Sequence, residues 1–83
     1  MYYVYVIKSE NGKCYIGRTN DLKRRFKEHL MGKNHTTHRM KNIKLIFYEC
    51  FISKEDSIRR ERYFKTTKGK KSLKLILRDS LLK

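Results

Sequence analysis

Two runs rich in tyrosine and β-branched residues, positions 2 to 8 and 13 to 17, stand on either side of Glu10-Asn11-Gly12. That spacing narrows the possible folds more than any other feature. A three-residue loop, with a type I turn followed by glycine in the left-handed region, joins the runs into an antiparallel hairpin. Loop length also sets the register. With residues 10 to 12 as the loop, Ile7 faces Tyr15 and Tyr5 faces Gly17. Tyr5 and Tyr15 then share one face as diagonal neighbours, about 7 to 8 Å apart at the backbone. A two-residue loop at Asn11-Gly12 would put them on opposite faces. Gly17, opposite Tyr5, leaves open space beside the tyrosine ring.

Asn20 suits a helix N-cap, Asp21 the positive helix start and Gly32 the position after the end, which predicts a helix over 21 to 31. Leu22, Phe26 and Leu30 form its apolar stripe, and Arg25 and His29, four apart, stack along one edge. Residues 33 to 42 are polar and basic without a period, so they read as a loop. Residues 44 to 51 are the strongest strand signal and complete a three-stranded sheet. Ser53 with Asp56 opens a second helix as a capping box, read over 54 to 66. On its wheel Glu61 falls between Ile58 and Phe64 and points inward, while Arg59, Arg60 and Arg62 spread over other sides. After the basic stretch 65 to 71, Leu73, Ile76, Leu77 and Leu81 predict a third, amphipathic helix.

At 83 residues the chain predicts one domain, 1 to 83, of α+β type, with a central three-stranded antiparallel sheet flanked by helices. Its 22 basic and 8 acidic residues leave a net charge of +14, more than solubility needs, and point to a polyanionic partner. Nucleic acid and anionic membrane surfaces are the candidates. The longest apolar runs are too short to span a bilayer, and the first residues lack a basic leader, so a soluble cytoplasmic protein is expected. Cys14 and Cys50 fall singly in strand patterns without Cys-x-x-Cys spacing, and are expected to be reduced core residues. Together with His35 and His38 they lack the spacing of a structural zinc site.

An inward glutamate is costly unless paired, protonated or bound to a metal. Glu61 could thus form an ion pair with an arginine. It could equally serve as a carboxylate ligand for magnesium, which keeps waters and takes substrate phosphates. The bland reading of Tyr5 and Tyr15 is core aromatics with hydroxyls at the rim. That of Arg25 is a solvated charge, and that of His29 a hydrogen-bonded packing residue. Lys33, His35, Thr37, Arg39 and Lys41 supply phosphate-contacting donors in the basic loop. Arg18, Lys68, Lys70 and Lys71 are further candidates for that contact, and a solvated charge run is the alternative for the lysines.

Tyr3-Val4-Tyr5, Tyr15-Ile16-Gly17, Asp21-Leu22-x-x-Arg25-Phe26-x-x-His29 and Arg60-Glu61 occur in this order, and together the chain resembles the GIY-YIG nuclease superfamily, especially its small stand-alone bacterial members. The resemblance implies a GIY-YIG endonuclease fold and a metal-dependent phosphodiesterase site. It implies that Glu61 holds one magnesium or manganese ion, that Tyr5 and Tyr15 orient or deprotonate the attacking water, that Arg25 stabilises phosphate charge and that His29 assists. The first motif carries Tyr3 and Val4 where the family has glycine and isoleucine. Many members also carry an asparagine downstream of the glutamate, and here none follows Asn42. The leading expectation is an endonuclease that cuts DNA with one divalent ion and selects its substrate by structure rather than by base sequence. The alternative is a nucleic-acid-binding protein of this fold with little or no catalysis. A ribosomal-type RNA protein ranks last, because the charges lie on patterned helices and one loop rather than on a tail.

Overall fold

The computed structural model describes residues 1–34 and 37–83. The hairpin forms as its loop length requires. β1 (Tyr2–Lys8) pairs antiparallel with β2 (Cys14–Thr19), with Ile7 opposite Tyr15 and Tyr5 opposite Gly17. Gly12 sits at φ +88°, where a side chain would be strained. Ser9 N–H donates to Lys13 O at 2.8 Å and Gly12 N–H to Ser9 O at 3.0 Å, closing the loop.

β3 (Lys44–Phe51) pairs antiparallel with the other edge of β1, with a register shift between Val6 and Ile7, so the strand order is β2-β1-β3. The sheet therefore has two distinct faces. Tyr3, Tyr5 and Ile7 point to one, and Val4 and Val6 to the other, as strand geometry requires. Val4 and Val6 form the core with Phe64, Leu73 and Leu77 from the helices that follow β3.

α1 (Leu22–Leu30) starts one residue later than the sequence predicts. Asp21, not Asn20, is the N-cap: its carboxylate accepts from Arg24 N–H at 3.0 Å, and its own N–H donates to Thr19 Oγ1 at 3.1 Å. The buried Thr19 hydroxyl thus decides which polar residue caps. Leu30, assigned to the apolar stripe, is 59% exposed, since α1 packs through its Arg25–His29 side rather than squarely on Leu22, Phe26 and Leu30. α2 (Lys54–Phe64) has the predicted Ser53 cap, with Asp56 N–H donating to Ser53 Oγ.

α3 (Thr67–Ile76) takes in most of the basic stretch that precedes the predicted third helix. Thr66 caps it, accepting from Gly69 N–H at 3.0 Å. Lys68, Lys70 and Lys71 therefore lie on a helix and are exposed, and a 3₁₀ turn, Ser80–Leu82, ends the chain. Both cysteines are exposed, not core residues. Cys14 begins an edge strand at the mouth of the hairpin and Cys50 lies on the other edge strand, so neither is covered. Among the described residues no helix is long and apolar enough to cross a membrane.

Two ion pairs lock α2 across the sheet. Glu49 of β3 and Arg18 of β2 both lie opposite Val4. Arg60 binds Glu49 with two hydrogen bonds, 2.8 and 3.1 Å, its guanidinium stacked 4.3 Å from the Phe64 ring centroid. Its neighbour Glu61 reaches the opposite way, to Arg18 at 3.6 Å. That clamp carries Glu61 to the β2 edge.

Candidate active site

Tyr5 leans across Gly17 toward the same edge. A Cβ built on Gly17 would lie 2.4 Å from Tyr5 Oη and 2.9 Å from Tyr15 Cε2. The open space that the sequence assigns to Gly17 is thus filled by the ring of its cross-strand partner. Gly17→Ala is expected to push the Tyr5 hydroxyl off its contacts, cutting any turnover by at least tenfold and destabilising the fold by about 1–3 kcal/mol. Thermal melts and cleavage assays on the variant check both.

Helix periodicity brings Arg25 and His29 to that ring. The rings of Tyr5, Tyr15 and His29 form a triangle with centroids 5.3 to 6.4 Å apart. His29 is buried, with Nε2 2.7 Å from Tyr5 Oη. Arg25 pairs with Glu28 at 2.9 Å, and its positive charge acts on the Tyr5 hydroxyl. Burial pushes the Tyr5 pKa up to about 12, against the pull of Arg25, with Tyr15 and Glu61 adding to the rise. Burial, and then Arg25, push the His29 pKa down. At neutral pH both side chains are therefore uncharged, and Tyr5 is held ready to donate or pass on a proton rather than as a phenolate.

Glu61 is half-buried, its side chain 21% exposed, not fully inward as the wheel predicts. It lies on the α2 side of the sheet between Arg18 and Lys65, whose Nζ is 3.1 Å away. Arg18 Nε is buried without a hydrogen bond, because at 3.6 Å the carboxylate attracts it without bonding to it. Among the described residues no group of three or more His, Cys, Asp and Glu side chains gathers. A divalent ion at Glu61 would have this carboxylate and waters, a hard-oxygen donor set that suits magnesium or manganese with substrate phosphate completing the shell.

Of the residues singled out from the sequence, Tyr5, Tyr15 and His29 meet in one ring cluster, while Arg25 and Glu61 act on the Tyr5 charge without a ring contact. Thr37, grouped with the phosphate donors, is a correction: it is 1% exposed and its Oγ1 lies 2.7 Å from His29 Nδ1. Its hydroxyl is turned inward to the ring rather than out to the loop surface. No local signal distinguishes Thr37 within its aperiodic loop. Lys33, Arg39 and Lys41 are exposed, Arg18 turns to Glu61, and His35 lies outside the described residues.

The GIY-YIG catalytic domain profile matches residues 1–74. The chain belongs to the GIY-YIG nuclease family. It is 39% identical over 74 residues to a UPF0213 protein of Bacillus pumilus, an alignment covering 87% of this chain and 76% of that one. It is 34% identical over 82 residues to a UPF0213 protein of Clostridium perfringens, covering 98% and 88%. The solution NMR structure of a UPF0213 protein from Bacillus halodurans superposes with a TM-score of 0.58 at 32% identity, covering 92% of this chain and 85% of that one. The matched span takes in β1, β2 and α1, the elements that carry the ring cluster.

Proposed function

We propose that this GIY-YIG protein is a divalent-metal-dependent endonuclease that hydrolyses DNA phosphodiester bonds in the cytoplasm, as in DNA repair, choosing substrates by structure. The observation that carries this reading is the buried Tyr5–His29 hydrogen bond, 2.7 Å, flanked by Tyr15 and Arg25. A tyrosine is a poor base at neutral pH, and a neutral imidazole behind it provides a place for its proton. Tyr5 and Tyr15 orient the attacking water, and Arg25 offsets charge on the phosphate. One magnesium or manganese ion held by Glu61 would supply further charge neutralisation and stabilise the leaving oxygen. Exposed Lys33, Arg39 and Lys41, and Lys68, Lys70 and Lys71 on α3, supply backbone contacts, which position DNA without reading its sequence.

The test is cleavage of plasmid, flap, fork, nicked, single-stranded and RNA substrates with magnesium or manganese. Turnover on DNA that chelation abolishes is the expected result. The Arg18 and Lys65 contacts on Glu61 favour a second reading, a nucleic-acid-binding protein with little catalysis. Salt-sensitive binding with no turnover above the chelated control on any substrate would establish that second reading.

A further inference from the structure

His29 has a hydroxyl at each ring nitrogen. Tyr5 Oη lies 2.7 Å from Nε2 and Thr37 Oγ1 lies 2.7 Å from Nδ1, and all three side chains are buried. Thr37 is anchored through its backbone: its N–H donates to Asn34 Oδ1 at 3.0 Å, and its carbonyl accepts from Met40 N–H at 2.9 Å. Its hydroxyl therefore stands at a fixed place beside the ring.

A neutral imidazole has one N–H and one lone pair, so the two hydroxyls cannot be treated alike. Among the described residues the hydrogen bond of the Tyr5 hydroxyl runs to His29 Nε2, and the positive charge of Arg25, a group with donors and no acceptor, acts on the Tyr5 oxygen. If Nε2 carried the proton, the ring N–H would face the same oxygen as the Arg25 charge, and the Tyr5 proton would need a different partner from the one the geometry gives it. If Nδ1 carries the proton, Tyr5 O–H donates to Nε2 and Nδ1–H donates to Thr37 Oγ1, so both ring nitrogens and the Tyr5 proton are paired.

We infer that Thr37 is a positioning residue of this site: its hydroxyl accepts from Nδ1–H and fixes His29 as the tautomer whose Nε2 lone pair faces Tyr5. This inference rests on the nuclease reading for its catalytic consequence, but not for its structure. As Tyr5 Oη takes a proton from the attacking water, the Tyr5 proton passes to Nε2, and the other ring proton stays on Nδ1, hydrogen-bonded to Thr37 Oγ1. The water oxygen bonds to phosphorus as the bond to the leaving oxygen breaks, and that oxygen is protonated from solvent. His29 then returns its proton to Tyr5, which releases one to solvent. The transient imidazolium is faced by Tyr5 from β1, Tyr15 from β2, and Arg25 and Glu28 from α1. Thr37 is the group that receives its second N–H.

The experiment is long-range ¹H–¹⁵N NMR of the histidine rings in the wild-type chain, Thr37→Val and Thr37→Ser, with cleavage kinetics alongside. The wild type and Thr37→Ser should show His29 with Nδ1 protonated, and Thr37→Val should move the population toward the Nε2–H form. On a cleaved substrate, kcat of Thr37→Val should fall about 10- to 100-fold with KM unchanged, and Thr37→Ser should restore it. A wild-type His29 protonated at Nε2, or a Thr37→Val spectrum with the tautomer unchanged, overturns the inference. Should Thr37→Val not fold, the wild-type and Thr37→Ser spectra decide. If no substrate is cut, the nuclease reading fails while the tautomer result still stands or falls by itself.

Discussion

Glu61→Gln is expected to lower metal-dependent cleavage by about 10²–10³-fold or more while leaving DNA binding intact. The amide keeps the shape of the side chain and removes the charge that a divalent ion needs. Among the described residues there is no group of carboxylates and imidazoles to substitute for it. The stability cost is small. The Lys65 pair is solvent-exposed on the lysine side and the Arg18 contact is 3.6 Å long. Exposed pairs contribute about 0–1 kcal/mol each, so the two together cost about 1 kcal/mol and the melting temperature should fall by about 4–8 °C. Removing one negative charge should, if anything, tighten binding to a polyanion. Plasmid nicking in magnesium and a gel-shift titration, run on the same preparation, separate the two effects. Unchanged cleavage with intact folding would remove Glu61 from the site.

Gly69→Ala is expected to be the most destabilising single-methyl change in the protein. A Cβ at Gly69 would lie 1.8 Å from Tyr63 O and 2.8 Å from Phe64 Cα. Both are backbone atoms, so no side chain can turn aside. The first turn of α3 would have to move away from the end of α2, drawing Leu73 and Leu77 from their packing against Val4, Val6 and Phe64. Overpacking of this kind costs about 3 kcal/mol or more. At roughly 0.05–0.15 kcal/mol per residue, a chain of this length has about 4–12 kcal/mol in total. The melting temperature should therefore drop by about 12–24 °C, as measured by circular dichroism. A melt within a few degrees of the wild type would show that α3 can slide at little cost. The cost falls on folding rather than on chemistry, since Gly69 lies on the face of the sheet away from the ring cluster.

The hairpin is legible in the sequence because a loop of three residues has few geometries, and register follows from its length. The same local rules placed the Ser53 cap, the β3 run and the alignment of Arg25 with His29, each set by neighbours within about four positions. Asn20 and Asp21 are equally good caps locally, and the buried Thr19 hydroxyl chooses between them. Cys14 and Cys50 are exposed although they lie in strand patterns, because a strand pattern does not say which strand is an edge. Lys68, Lys70 and Lys71 read as a stretch before a helix, although the Thr66 cap had already begun that helix.

Thr37 shows where local reasoning ends. Its loop has no period, and its contact with His29 spans eight residues and depends on how that loop folds back over α1. The pull of Glu61 toward the β2 edge likewise depends on Arg18, far along the chain and on another element. By itself the sequence determined the hairpin register, the sharing of one face by Tyr5 and Tyr15, and the helix edge that carries Arg25 and His29, because turns and periodicity are short-range. The tertiary structure alone decided that Tyr5 lies over Gly17 against a buried imidazole, that Thr37 closes the other side of that ring, and that Glu61 comes around the sheet edge between two cations. Those outcomes depend on packing between elements distant in the chain.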